Sequence, residues 1–386
     1  MEREPIQKKP GLLELLDEWE KQGASDAEIT QRMNRYLDSK AREEGVPLHG
    51  TFELTPLCNL DCKMCYVHLS EKQLHESGKR LLTVEEWKDI MQQAIDAGMM
   101  SAILTGGECL TYPGFDELFL FLWQRGIKIT VKTNGILLTE KRIEFFKKHP
   151  PLGIQITLYG ADNETYEKVT GVRVFDRVML NIQNAKKAGL AFEIGITPNK
   201  HMLENSRKVL ELAESLGVEY NINAGLFESR KETGRDGKSA DMTLDEYIEL
   251  YKLQAELRNR SIKPICKEQV PKPATQGKPT FGVRCAAGRS TFAVYWNGHL
   301  HPCASIQKIH VDLSELSFSR AWRIVNREVA LYPYPAECVE CDYRALCPVC
   351  VVQHEYGGKA GHANRYFCER VQKFTELGLY VLNQSK

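Results

Sequence analysis

The chain has 386 residues with 51 Lys+Arg and 51 Asp+Glu, so its formal net charge is zero. That balance excludes a strongly basic nucleic-acid binder, and 42% hydrophobic with 26% charged residues is a globular composition. No apolar run approaches the ~18 residues of a membrane span, and the first ten residues do not resemble a secretory signal, so we expect a cytoplasmic protein with no membrane or nucleic-acid partner.

Cysteine is the unusual residue, with 12 copies. Three lie between residues 58 and 65, and five lie between residues 338 and 368. Cytosolic proteins keep thiols reduced, so clustered cysteines indicate bound metal rather than disulfides.

Residues 11–45 are expected to form a pair of helices. Leu12, Leu15, Leu16 and Trp19 recur at helical spacing, and Ser25-Asp-Ala-Glu28 is a capping box that starts the second helix. We expect this N-terminal extension, residues 1–49, to pack on the main domain; docking of a partner is the alternative.

From residue 50 the pattern becomes an alternation of strands and helices. The predicted strands are 50–54, 101–105, 127–132, 154–158, 191–197 and 218–224. The predicted helices are 83–97, 114–125, 139–148, 175–188, 202–216 and 243–260. Six such units imply an α/β domain over residues 50–262 with a parallel sheet, either a partial (β/α)6 TIM-like barrel or an open doubly wound sheet.

The rest of the chain divides into a linker and a small cysteine-rich domain. Residues 263–284 are rich in Pro, Lys and Gly without periodicity, which is typical of a linker. Asn297-Gly298 between two apolar arms predicts a β-hairpin. The rest of residues 285–386 is a short segment that we expect to consist mainly of loops. Because such a segment buries little core of its own, we expect bound metal to stabilise it.

The first cysteine group follows the first predicted strand, at the sheet edge where α/β folds place ligand sites. Three thiolates can bind three irons of a [4Fe–4S] cluster and leave the fourth iron open. Zinc and metal-free cysteines are the alternatives; the spacing suits tetrahedral zinc poorly, although His68 is close enough to serve as a ligand. The sequence is Thr55-Pro-Leu-Cys58-Asn-Leu-Asp-Cys62-Lys-Met-Cys65-Tyr66.

This Cys-x3-Cys-x2-Cys motif resembles that of the radical S-adenosylmethionine (SAM) enzymes. The resemblance implies a [4Fe–4S] cluster whose open iron is chelated by SAM. It implies reductive cleavage of SAM to methionine and a 5′-deoxyadenosyl radical, which abstracts hydrogen from a substrate. The resemblance also implies a partial (β/α)6 barrel of the radical SAM type. It further implies a protein that supplies the electron, such as flavodoxin or ferredoxin.

Motifs at later strand ends support the resemblance. Thr105-Gly-Gly-Glu108 is similar to the family's GGE motif, whose carboxylate binds the SAM amino group. Lys168 and Arg173 are the candidate partners of the SAM carboxylate. An ordinary turn at Asn134-Gly135 and a core position for Ile196 are the alternatives to direct SAM contacts there. The implied cofactor-binding residues are Tyr66, Gly106, Gly107, Glu108, Thr133, Asn134, Thr157 and Ile196.

The C-terminal cysteines resemble the SPASM domain, an extension of radical SAM enzymes that carries two auxiliary iron–sulfur clusters. The resemblance implies that both are of the [4Fe–4S] type. Cys338-x2-Cys341-x5-Cys347-x2-Cys350 departs from the usual form by one residue in its last spacing. A zinc ribbon-like site is the alternative. By the resemblance, auxiliary cluster I takes Cys285, Cys303 and Cys350, with Cys266 either a fourth ligand or free, and auxiliary cluster II takes Cys338, Cys341, Cys347 and Cys368.

We expect an enzyme that modifies a ribosomally made peptide, because the sequence from Thr157 to Gly171 resembles peptide maturases. The alternatives are a radical SAM enzyme for a small molecule or tetrapyrrole, a sulfatase-maturase-like protein oxidase, and a metal-binding structural or electron-transfer protein. No catalytic acid or base is identified, and Cys109 is assigned no role. Four charged residues fall in loops near the barrel mouth and are expected to be solvated: Asp116, Glu228, Arg230 and Arg235.

Overall fold

The structure is a computed structural model that describes residues 11–223, 225–260, 262, 264, 270, 282–347, 350–355 and 361–379. Its strands are β1 (His49–Glu53), β2 (Ser101–Thr105), β3 (Lys128–Thr133), β4 (Gly153–Leu158), β5 (Phe192–Ile196), β6 (Tyr220–Ile222), β7 (Thr291–Val294), β8 (His299–His301) and β9 (Val311–Asp312). Its helices are α1 (Leu12–Lys21), α2 (Asp26–Glu44), α3 (Glu71–Glu76), α4 (Val84–Asp96), α5 (Phe115–Trp123), α6 (Glu140–Lys148), α7 (Asn163–Thr170), α8 (Phe175–Lys187), α9 (Ser206–Ser215), α10 (Leu244–Leu257), α11 (Phe318–Leu331), α12 (Val351–Glu355) and α13 (Arg365–Glu376).

The described strands form one sheet in the order β6-β5-β4-β3-β2-β1-β7-β8-β9. Strands β1 to β6 are parallel, and each is hydrogen-bonded to the next in sequence. This order never reverses, so the sheet is wound in one direction like a barrel and lacks the reversal of a doubly wound sheet. Because β1 pairs with β7 rather than with β6, the barrel stays open. The predicted partial barrel is confirmed.

All six predicted strand–helix units are present, and most boundaries agree within two residues. The largest differences are at the end of the barrel, where β6 is limited to Tyr220–Ile222 and a 3-10 turn precedes α9. The short helix α7 was missed. Its signals are local: the Asp162 side chain accepts a hydrogen bond from Thr165 N (2.7 Å), and Gly171 ends the helix with a positive φ of 76°.

The predicted hairpin at Asn297-Gly298 is confirmed, and it extends the barrel sheet. Strand β8 pairs antiparallel with β7, and β7 pairs in parallel with β1. The sheet therefore runs across the predicted domain boundary at residue 285. The linker assigned to residues 263–284 lies mostly outside the described residues, as does Cys266.

Helix α11 corrects the expectation that the segment after the hairpin is mainly loop. It buries Phe318, Ala321, Trp322, Val325 and Val329, which recur at helical spacing and were a readable signal. Phe318 N donates to Gln93 Oε1 of α4 (2.8 Å), and Trp322 Nε1 donates to the Gly45 carbonyl (2.6 Å). The C-terminal segment is thereby attached to a barrel helix and to the end of α2.

The N-terminal extension forms the expected two helices, and the capping box at Ser25 and Glu28 is present. The expected packing is wrong for α1, which buries no side chain and leaves Leu13 77% exposed. Contact with the main domain is made by the second half of α2, where Ala41 is buried and Asp38 Oδ1 lies 2.7 Å from His49 Nε2. No described helix is long and apolar enough to cross a membrane.

Candidate active site

The first three cysteines lie on the loop that follows β1, over the carboxyl edge of the sheet. Cys62 is buried, and Cys58 and Cys65 are half-buried. Leu60 N donates to Cys58 Sγ (3.4 Å) and His68 N donates to Cys65 Sγ (3.4 Å). Burial raises the pKa of all three thiols, to about 12 for Cys58. Free thiols here stay protonated, so binding of iron at these sulfurs must release protons.

The two glycines after β2 bring this strand's end against the cysteine loop. A Cβ on Gly106 would lie 2.4 Å from the Thr55 carbonyl oxygen, and one on Gly107 would lie 2.3 Å from that of Leu57. Gly106 also has a φ of 143°, which side chains disfavour. The lack of side chains at these two positions lets the backbone of the cysteine loop approach the end of β2. This contact places Glu108 beside the cysteines.

Glu108 is a buried carboxylate that faces the site and has no ion-pair partner among the described residues. It accepts hydrogen bonds from Thr133 Oγ1 (2.8 Å), Asn134 N (2.8 Å) and Leu110 N (3.1 Å). Burial nevertheless raises its pKa above the ordinary value of 4.5. An unpaired carboxylate held this rigidly matches the ammonium group of an amino acid ligand, so the residues present fit SAM.

Thr133 and Asn134 act on the site through Glu108 and through the cysteine loop. Besides its backbone bond to Glu108, Asn134 donates from Nδ2 to Asn59 Oδ1 (2.7 Å), between the first two cysteines of the motif. The predicted Asn134-Gly135 turn therefore lies within the site. The turn holds the strand end, the carboxylate and the cysteine loop together.

One cavity of about 250 Å³ joins these groups. Of the predicted residues, it is lined by the three cysteines together with Tyr66, Gly106, Gly107, Glu108, Thr133, Asn134 and Thr157. Ile196 is not in the lining: it is fully buried in the core, and its carbonyl accepts a hydrogen bond from Asn223 N (2.8 Å). The neighbouring Thr197 and Asn223 line the cavity instead.

Neither candidate partner of the SAM carboxylate lies at the cavity. Lys168 pairs with Glu164 (3.1 Å) and Arg173 pairs with Glu167 (2.8 Å), both on exposed surface. The cation that sequence reasoning missed is Lys132, on β3, which lines the cavity together with Gln155. Alternation along the strand was a usable signal, since Lys132 lies between the buried residues Val131 and Thr133.

The segment of residues 229–237, which follows β6, holds the cysteine loop from the other side. Arg230 N donates to the Tyr66 carbonyl (3.1 Å), and Ser229 Oγ donates to that of Cys65 (3.4 Å). Arg235 Nη1 donates to the Cys62 carbonyl (2.8 Å), and Arg235 also pairs with Asp61. The cysteine loop is thus hydrogen-bonded to a segment that is distant in sequence: Cys62 and Arg235 are 173 residues apart.

Arg230 was expected to be a solvated charge, and this expectation is wrong. Its guanidinium is buried and forms two hydrogen bonds to Glu53, of 2.8 and 2.7 Å, at the end of β1. It also lies 3.5 Å from the ring centroid of Tyr295, which follows β7. Asp116 and Glu228 are exposed as expected, whereas Arg235 is only 20% exposed in its side chain.

The C-terminal cysteines gather in two groups. Cys338, Cys341, Cys347 and Cys368 line one small cavity, with His354 Nε2 3.8 Å from Cys338 Sγ. Cys303 is close enough to Cys285 and Cys350 for their charges to add to the burial that raises its pKa to about 11. These groups match the two predicted ligand sets, apart from Cys266. Among the described ranges, no three His, Cys, Asp or Glu side chains already converge on a single-ion site.

Comparison with known proteins defines the class of this chain. Residues 52–216 match the family model described as the Radical SAM superfamily. This match spans somewhat under half of the chain and shows that these residues form a radical SAM domain, which is an enzyme domain. Such a domain uses a [4Fe–4S] cluster and SAM, in agreement with the cysteine loop and Glu108.

Individual relatives differ in how much of the chain they cover. The AdoMet-dependent heme synthase of Methanosarcina barkeri is 27% identical over 324 residues, which is 78% of this chain and 89% of that protein. The antilisterial bacteriocin subtilosin biosynthesis protein AlbA of Bacillus subtilis is 30% identical over 134 residues, 34% of this chain and 29% of that protein. Streptococcus suis SuiB bound to precursor peptide SuiA superposes with a TM-score of 0.64 at 17% identity, over 89% of this chain and 81% of that one. At so low an identity, the superposition shows a shared fold and nothing further.

Proposed function

We propose that this protein cleaves SAM reductively and uses the product to modify a ribosomally made peptide. The observation that carries the proposal is the single cavity that joins three cysteines to an unpaired buried carboxylate. When bound, the cluster and SAM supply an electron and a 5′-deoxyadenosyl radical that abstracts hydrogen from the substrate.

The residues of the chain bind and orient these groups. Cys58, Cys62 and Cys65 would hold three irons of the cluster and leave the fourth open to SAM. Glu108 would accept hydrogen bonds from the SAM ammonium, while Thr133 and Asn134 keep the carboxylate in place. Tyr66 and Thr157 line the same cavity and complete the proposed SAM site.

The C-terminal segment is proposed to be a SPASM-type domain with two auxiliary iron–sulfur clusters. The support is the grouping of its cysteines: four line one cavity, and Cys303 lies near Cys285 and Cys350. The proposed role of these clusters is to accept the electron released when the product radical is oxidised. The proposed electron donor to the whole protein is a flavodoxin or ferredoxin.

A peptide substrate is supported by the likeness to maturation proteins and by a fold shared with SuiB, which was solved with a precursor peptide. A tetrapyrrole is the second candidate, because the heme synthase matches across 89% of its own length. Both substrates require the same SAM cleavage, so the two candidates differ only in what occupies the cavity beside SAM.

SAM cleavage is tested with anaerobically reconstituted protein, dithionite and SAM. We expect 5′-deoxyadenosine and methionine by liquid chromatography, and none from Cys58→Ala/Cys62→Ala/Cys65→Ala. Stoichiometric zinc in place of iron, with no 5′-deoxyadenosine, would reject the proposed function.

The substrate is tested by co-expression with short open reading frames that neighbour the gene. A mass change in such a peptide, absent with the triple alanine variant, supports the peptide assignment. Unchanged peptides together with turnover of an iron–porphyrin carboxylate would favour the tetrapyrrole.

A further inference from the structure

Lys132 is the cationic side chain of the active-site cavity that no other described group neutralises. Its ammonium makes no hydrogen bond or ion pair with another described residue, and the side chain is exposed where it lines the cavity. An anion would stabilise this ammonium once bound ligands displace the water around it. The protein packed around the side chain already lowers the pKa of Lys132.

The carboxylate whose charge acts on Lys132, Glu193 on β5, is already engaged by amide groups. Gln155 Nε2 donates to its Oε1 (2.6 Å), and Asn221 Nδ2 donates to its Oε2 (2.9 Å). The charge of Glu193 still acts on Lys132, but both of its oxygens point to other donors. No described carboxylate forms an ion pair with Lys132, so its ammonium is available to a carboxylate of a ligand.

Strand register places Lys132 deeper in the barrel than Thr157, measured from the carboxyl edge of the sheet. Lys132 is paired with Gln155 across β3 and β4, and Thr157 follows Gln155 by two residues on the same face. At about 3.3 Å per residue, this layer lies roughly 6.6 Å beneath Thr157. Glu108, in contrast, is bonded at the level of Thr133 and Asn134, at the rim.

We propose that Lys132 is a substrate-binding residue whose ammonium binds a carboxylate of the molecule from which hydrogen is abstracted. This inference rests on the proposed function, since it takes SAM to occupy the rim and the substrate to lie beneath it. It adds a chemical requirement to that function: the substrate presents a carboxylate, as an acidic side chain or a peptide terminus does.

The test measures how fast trace acetic anhydride acetylates Lys132 in reconstituted holoenzyme, read by peptide mass spectrometry. Succinate is the carboxylate probe and succinamide its neutral match, each added to SAM-loaded protein without reductant. We expect SAM alone to leave the rate within about twofold, and succinate but not succinamide to lower it saturably. Lys168, which is exposed and paired with Glu164, reports any general effect on the reagent.

A second measurement uses equilibrium dialysis with radiolabelled succinate. Lys132→Gln should weaken succinate binding about tenfold to a hundredfold, the value of one charged hydrogen bond, and Lys132→Arg should restore most of it. Lys168→Gln should match the wild type. SAM should bind Lys132→Gln as tightly as the wild type.

Three results would overturn the assignment. If SAM alone protects Lys132 from acetylation, the residue binds the SAM carboxylate. If succinate and succinamide protect equally, binding does not depend on the charge of a carboxylate. If neither protects, Lys132 does not bind a carboxylate ligand. Failure of the wild type to bind SAM would instead reject the proposed function, so the two failures are distinguishable.

Discussion

The two cysteine-rich regions of this protein are held in different ways. The loop of Cys58, Cys62 and Cys65 is part of the main core, where Cys62 is packed with barrel residues, and it is bonded on both sides by the backbone of β2 and the 229–237 segment. Around Cys338, Cys341 and Cys347, the cysteines themselves are members of two small hydrophobic clusters. The first region is shaped by the protein, whereas the second has little core of its own besides these cysteines, which are the proposed cluster ligands.

The largest expected effect is on the first region and concerns activity alone. Cys58→Ala/Cys62→Ala/Cys65→Ala should abolish SAM cleavage completely, because it removes the three thiols that lie beside Glu108 and would bind the cluster. The barrel should stay folded, since the loop is held by contacts that do not involve the sulfurs. Circular dichroism and a melting curve check the fold; unfolding of the variant would contradict this view of the loop.

The second effect should be structural and confined to the C-terminal region. Cys338→Ser/Cys341→Ser should expose the segment from residue 332 onward to protease under conditions that leave the wild type intact, because the proposed cluster would take the place of a core there. Limited proteolysis with mass spectrometry locates the cuts. The matched control is the triple alanine variant of the first loop, which should resist; equal digestion of both would remove the contrast between the regions.

Arg230→Met should destabilise the protein by about 3–5 kcal/mol, because it leaves Glu53 buried without its partner. Urea unfolding of anaerobic protein measures the change. Arg173→Met removes an exposed ion pair with Glu167 and should cost no more than about 1 kcal/mol. Arg230→Met/Glu53→Gln should recover part of the loss; no recovery would show that the pair is not the cause.

The smallest effect is the pH dependence of SAM binding at Glu108. Because burial raises the pKa of this carboxyl above 4.5, the charged form that attracts an ammonium is lost at higher pH than for an ordinary glutamate. Affinity for SAM should therefore be full at neutral pH and fall as the pH drops through the raised pKa. Glu108→Gln should bind about tenfold to a hundredfold more weakly at neutral pH and lose this dependence, as checked by equilibrium dialysis.

Much of the site could be predicted from the sequence because its motifs end consecutive strands. Parallel strands bring their carboxyl ends to one edge, so the cysteine loop, Glu108, Asn134 and Thr157 had to meet there. Local signals also sufficed for most helices. Ile196 shows the limit: a one-residue change along a strand exchanges the core face for the cavity face, and Thr197 lines the cavity instead.

The sequence by itself determined the six strand–helix units, because strand–helix periodicity is a local property of the chain. The cofactor chemistry and the choice of a partial barrel came from the resemblance of its cysteine motif to the radical SAM enzymes. Only the tertiary structure decided that β7 pairs with β1. It also decided that Arg230 is the buried partner of Glu53, from which it is separated by 177 residues, and that Lys132 rather than Lys168 faces the cavity. Those features depend on which distant side chains share a space. The charge of a residue does not reveal whether water, another residue or a ligand will neutralise it.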